Sequence, residues 1–234
     1  MTDTIDEALT GIRQKAHWRV RLLPPSAEQR FRLPSDCFRA VSQSHVELRG
    51  WDYPHVQDAS DERHGRSFPV VDGWELFVDF LSHHEAWRFT KSGQFIHYFT
   101  LWEDEEGAGS SWRIPEGTKF LSLESTIATL TEVMEFFARL VELADYTPSI
   151  NIEISLLGTD QRVLKASPSR FLFRDYISHV SEIPLSRTIS ISEIASSRQE
   201  IALEMARDIF ELFTFRIDDH VLHDIQRNIL ERRW

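Results

Sequence analysis

The sequence predicts an α+β fold: a mostly antiparallel sheet with helices packed chiefly on one face. Three observations carry this reading. HWRVRLL, GWELFVDF and SINIEISLL alternate apolar with polar side chains at strand period. Leu130, Val133, Met134, Phe137, Leu140, Val141 and Ala144 recur at helical spacing, as do Ile194, Ile201, Met205, Ile209 and Leu212. EAWRFTKSGQFIHYFTLWED, with Ser92-Gly93 at its centre, has the pattern of a hairpin, which joins antiparallel neighbours. The chain, 1-234, is read as one domain, since no linker, repeat or low-complexity tract divides it.

Residues 1 to 11 suit a short helix ending near Gly11, and HWRVRLLPP a first strand with Trp18, Val20 and Leu22 on one face and Pro24-Pro25 as its stop. Ser35 is placed to cap a helix from Asp36, with Cys37, Phe38, Ala40 and Val41 inward. VELRGWDYP is expected as a second strand, with a bulge at Gly50 and an end at Pro54. His55 to Phe68, including His64, is expected to be loop, and GWELFVDF the third strand. In the hairpin, the expected partners are Thr90 with Phe95, Phe89 with Ile96, Arg88 with His97 and Trp87 with Tyr98. That register puts Trp87, Phe89, Ile96 and Tyr98 on one face and Ala86, Phe95, Phe99 and Leu101 on the other, so both faces need cover.

EDEEGAGSSWRIPEG is expected to be irregular, and TKFLSLESTIAT a sixth strand through Leu121, Leu123 and Ile127. Thr129 with Glu132 then fits a capping box for the helix of Leu130 to Ala144. SINIEISLL is a strand that Gly158-Thr159-Asp160 turns toward RVLKA. Between 167 and 190, Phe171, Leu172 and Phe173 call for burial while Pro168 and Pro184 interrupt any long element. Ser190 with Glu193 caps a helix to about Phe213, and Asp218 or Asp219 starts a last helix through Val221, Leu222, Ile225 and Ile229, whose basic end suits the helix dipole.

Composition excludes several classes. No run approaches a membrane span, and the N-terminus lacks the basic start and apolar middle of a signal peptide, so no membrane partner is expected. Cys37 is the only cysteine, which rules out an intrachain disulfide and a Cys-rich zinc site and points to a cytoplasmic protein. The net charge of -11 disfavours nucleic acid over most of the surface. Against that, Arg13, Lys15, Arg19, Arg21, Arg30, Arg32 and Arg39 form a basic segment, and Glu103 to Glu106 an acidic one. The basic run is read as solvated or as meeting the protein's own acidic loop; Arg13, Lys15, Arg19 and Arg21 are the residues that would contact nucleic acid if it were bound.

Of the ten histidines, six lie between 45 and 97: His45, His55, His64, His83, His84 and His97. With Asp52, Asp79 and Glu85 they would suit a hydrolase or nuclease with a divalent metal, yet no HExxH or similar ligand spacing is present and no metal is assigned. No GxSxG elbow occurs, Cys37 falls on an inner helix face, and phosphate-binding glycine motifs are missing, so neither catalytic residues nor a cofactor are assigned. Arg49, Trp51 and Tyr53 alternate in RGWDYPH as a platform for a ring or peptide. The expected binding patch is Arg49, Trp51, Tyr53, Arg88 and His97, open to a protein partner or small ligand and compatible with a homo-oligomer.

The order of RGWDYPH, HEAWRFTKSGQFIHYF, TEVMEFFARL and INIEISL, across residues 17 to 232, resembles an uncharacterised C-terminal region of bacterial proteins that begin with a Schlafen-type AlbA_2 DNA-binding domain. The chain has no room for the AlbA_2 domain itself, so a nucleic-acid role resident there is not expected. The resemblance implies a non-catalytic accessory or sensing module in genome-defence or regulatory machinery.

Overall fold

His17–Leu23 (β1) alternates apolar and arginine side chains, and it is paired along both edges. A computed structural model describes residues 4–56, 65–80, 83–112, 114–170 and 172–233; His64 and Phe171 lie outside them. Among the described residues, seven strands form one antiparallel sheet. In spatial order they are β10 (Glu182–Ser190), β7 (Ser149–Leu157), β1, β5 (Phe95–Thr100), β4 (His83–Thr90), β3 (Gly73–Phe80) and β2 (Gly65–Val70). A small second sheet joins β6 (Phe120–Ser122), β8 (Val163–Lys165) and β9 (Tyr176–Ile177). The fold is α+β.

Helices α2 (Pro34–Ser44), α3 (Leu123–Leu143), α4 (Ile191–Glu211) and α5 (Asp219–Leu230) share one apolar core with the sheet face bearing Trp18, Val20, Leu22 and Ile152. The opposite face is covered in part by α1 (Ile5–Arg13), whose Ile12 packs with Phe77 and Ala86. Helix α3 is buried around most of its circumference because it lies between the sheet and the other helices. Its N-cap is Ser122, whose side chain accepts from the Ser125 amide, so the helix begins at Leu123 and not near Thr129. The expected sixth strand therefore stops at Ser122. The caps Ser190 and Asp218 of α4 and α5 stand where the sequence puts them.

The expected second strand is absent. Gly50, at φ +86°, turns the chain, and Val46 pairs with Tyr53 through mutual backbone bonds of 2.9 and 2.8 Å. Part of the expected loop is instead the edge strand β2, which tolerates Pro69, as edge strand β10 tolerates Pro184. Leu172 is half-buried and Phe173 is 90% exposed, against the burial expected of them.

The hairpin register differs by one residue. Phe89 faces Phe95, Trp87 faces His97 and Arg88 faces Ile96. Thr90 explains the slip: its amide donates to Gln94 O and its hydroxyl accepts from the Gln94 amide at 3.0 Å, while Gly93 takes φ +87°. The loop thus consumes one residue more than a Thr90–Phe95 pair allows, and a slip of one inverts the far strand. Phe95, His97 and Phe99 join Glu85, Trp87 and Phe89 on the helix-covered face, whereas Arg88 and Tyr98 are on the other. Burying a phenylalanine contributes about 1.5–3 kcal/mol. Two of them therefore outweigh the cost of carrying His97 inside, provided that His97 finds a polar partner.

Candidate functional site

That partner is Glu85. Its Oε1 accepts from His97 Nε2 at 2.9 Å and from the His55 amide at 2.8 Å, and its Oε2 meets His83 Nε2 at 2.9 Å. His97 Nδ1 stands 3.3 Å from the Tyr53 hydroxyl. Burial would raise the Glu85 carboxyl; the charges and hydrogen bonds of His97 and His83 outweigh it and hold the group well below the usual range. His83 is pulled down by burial, but the Glu85 bond and charge prevail and its pKa is raised. Tyr53 is pushed up by burial and by the Glu85 and Glu132 charges, so it remains a phenol.

These groups form part of the wall of a cavity of about 570 Å³. Strands β4 and β5 supply Glu85, His97 and Phe99; the 45–55 loop supplies Arg49, Trp51, Asp52, Tyr53 and His55; the first turns of α3 supply Ser125, Thr126 and Thr129. Arg49 forms a charge-assisted pair with Glu132 and a bond of 3.1 Å to the Thr129 hydroxyl, and its guanidinium lies 5.1 Å from the Trp51 ring centre. Trp51 itself is 56% exposed, at the rim.

A 3-10 turn, Trp102–Asp104, closes another side. Trp102 donates to Ser125 Oγ at 2.8 Å. Glu103 lies beside it, only 4% exposed: Oε1 accepts from the Ser122 amide at 2.9 Å, while Oε2 is buried with no hydrogen-bond partner among the described residues. Burial pushes the Glu103 carboxyl up to about 7, the Ser122 bond opposing it. The turn is held by Arg162, buried to 1%, which donates to Asp104 Oδ2 at 2.8 Å and to Phe120 O at 2.6 Å.

The expected patch is brought together except at one place. Arg49, Trp51, Tyr53 and His97 line this cavity, but Arg88 is on the far side of the sheet, ion-paired with Glu75 at 2.9 Å and Asp72 at 3.7 Å. Arg88 is removed from the site because the register slip separates it from His97. Tyr53 and His97 are walls at 5% and 0% exposure, not an open shelf. Of the basic segment, Arg19 pairs with Glu182 at 3.0 Å and Arg21 with Glu153 at 2.7 Å, across neighbouring strands. Arg13 lies over Tyr98 and Lys15 Nζ is 2.8 Å from His84. The partners of Arg19 and Arg21 are thus sheet carboxylates and not the acidic loop, whose Asp104 belongs to Arg162.

Among the described residues, one group of side chains has metal-ligand spacing: His45, Glu47 and Asp52 offer ligand atoms within 4.8 Å of one another. His45 Nδ1 donates to Ser42 O, which leaves Nε2 for Asp52 at 3.8 Å. His83 and His97 instead commit their Nε2 atoms to Glu85. Cys37 is fully buried and its thiol is pushed up to about 11, chiefly by that burial, so it is inert as a nucleophile. Among the described residues no helix is long and apolar enough to cross a membrane. No protein-family model, curated protein or solved structure matches the chain.

Sequence reasoning missed Glu103 and Arg162. Glu103 reads as one of four solvated acids, and Arg162 follows a turn; nothing in their spacing signals that they are buried.

Proposed function

We propose that this protein is a non-catalytic ligand-binding module, its ligand a small molecule held in the cavity between the 45–55 loop, the Trp102–Asp104 turn and α3. The observation that carries the reading is an aromatic-walled cavity of about 570 Å³, within the size range of small-molecule sites, beside a buried carboxyl with one oxygen unpartnered among the described residues. The hydrogen-bonded Tyr53, His97, Glu85 and His83 form one wall of it, and each oxygen of Glu85 is already committed to a partner, which suits a positioning role. In the setting that the resemblance implies, the module would report its ligand to regulatory or genome-defence machinery.

Trp51 provides the test, because it is exposed at the rim and its loss leaves the core intact. Native mass spectrometry of the purified chain, with a thermal-shift screen of small ring compounds, is expected to find a ligand whose affinity falls about tenfold in Trp51→Ala. A bound compound indifferent to Trp51→Ala and to Thr129→Val would put its site elsewhere.

A second reading, a metal-dependent hydrolase, is favoured by one observation: His45, Glu47 and Asp52 have ligand spacing, and Asp52 also borders the cavity. It requires stoichiometric uptake of zinc or manganese, lost in His45→Ala, together with metal-dependent turnover. Titration calorimetry showing no uptake eliminates it.

A further inference from the structure

The charge of the cavity wall selects among ligands. Among the described residues, four carboxyls, Asp52, Glu85, Glu103 and Glu105, border it against one guanidinium, Arg49, which is already engaged by Glu132, and the imidazoles of His55, His83 and His97, the last two engaged by Glu85. Glu85 is saturated by His97, His83 and the His55 amide. Glu103 is not: Ser122 occupies Oε1, and among the described residues nothing occupies Oε2. Trp18, Trp51 and Trp102 line the same wall.

We infer that the cavity is built for an organic cation, a protonated amine or amidinium carried on a ring, with Glu103 as its counter-ion and the tryptophans as its packing surface. This rests on the ligand-binding reading and deepens it. A carboxylate taken out of water is unfavourable unless a positive charge or a proton accompanies it. Empty, the site meets that demand with a proton, in keeping with the Glu103 carboxyl pushed up to about 7. Loaded, the ligand cation replaces the proton, so no uncompensated charge is buried in either state. Aromatic faces add attraction for a cation that they would not offer an anion. Phosphates and carboxylates are disfavoured by the same count, since among the described residues no uncommitted guanidinium or lysine borders the cavity.

Three compounds of similar shape and different charge separate the cases: tryptamine, cationic; tryptophol, neutral; indole-3-acetate, anionic. Titration calorimetry at pH 8 is expected to give tryptamine at least a tenfold advantage over the other two, shrinking at pH 6 as Glu103 holds its proton. Tryptamine binding near pH 6 is expected to release a proton, read from the dependence of the heat on buffer ionisation. Glu103→Gln, nearly isosteric, should abolish the advantage of tryptamine over tryptophol. Tryptophol or indole-3-acetate binding as tightly as tryptamine would overturn the cation inference while sparing the cavity. A preference for tryptamine that survives Glu103→Gln would overturn the role of Glu103. No binding by any of the three up to about 5 mM, an affinity weaker than about 3 kcal/mol, would count against both the inference and the ligand-binding reading.

Discussion

Glu85 and Glu103 are both buried glutamates, and their surroundings drive them in opposite directions. Glu85 is depressed below the ordinary 4.5 of a glutamate by His97 and His83. Its stabilisation is present above that value and is lost as pH falls below it. Glu103 is raised from 4.5 to about 7, so the folded state is most stable where the carboxyl is protonated and loses stability as pH rises through that interval. Thermal unfolding is therefore expected to show a maximum on the mildly acidic side. Glu103→Gln should flatten the alkaline limb, raising stability above pH 7 by about 1–3 kcal/mol. Glu85→Ala should cost about 3–5 kcal/mol at neutral pH, because it strands His97, His83 and the His55 amide. An alkaline limb unchanged in Glu103→Gln would refute this account of Glu103.

The β4–β5 hairpin decides which side chains reach the cavity, and Gly93 decides the hairpin. Its φ of +87° strains any other residue, and a Cβ there would stand 2.8 Å from the Tyr146 hydroxyl, which donates to Gly93 O. Gly93→Ala is expected to destabilise the protein by about 1–3 kcal/mol. It should also disturb the inner row of Phe95, His97 and Phe99, visible as altered histidine resonances in NMR. A denaturation midpoint equal to wild type would show that the turn is not under this constraint. The 45–55 loop is the other formative element: the Arg49–Glu132 pair fastens it to α3, and the Trp87 indole donates to His55 O at 2.8 Å.

At the scale of the whole molecule, the net charge of -11 and the pairing of Arg19 and Arg21 with Glu182 and Glu153 weigh against phosphate binding on this part of the sheet. No gel shift is expected with a short DNA duplex at low salt. A shift that fell steeply with salt and vanished in Arg19→Glu, Arg21→Glu would restore the nucleic-acid reading. Layering also orders the molecule by function. Four helices and the sheet enclose the main core, while the cavity opens where the 45–55 loop and the Trp102–Asp104 turn meet the first turns of α3 over the sheet. Side chains lining it are held by neighbours on the strands beneath them.

By itself the sequence determined what depends on near neighbours along the chain: the alternation in β1 and β7, the Ser190 and Asp218 caps, the absence of a disulfide and the gathering of aromatics about residues 87 to 99. Arg49, Trp51, Tyr53 and His97, which the fold gathers at one cavity, were legible as candidates for the same reason: unusual polar and aromatic groups stand out against a local period. Tertiary structure alone decided the hairpin register, hence the exclusion of Arg88, and the burial of Glu103 under a turn tied to Arg162, 58 residues from Asp104. Periodicity is written between neighbours, whereas register and burial follow from which surface finds cover and from bonds between residues that only folding brings together.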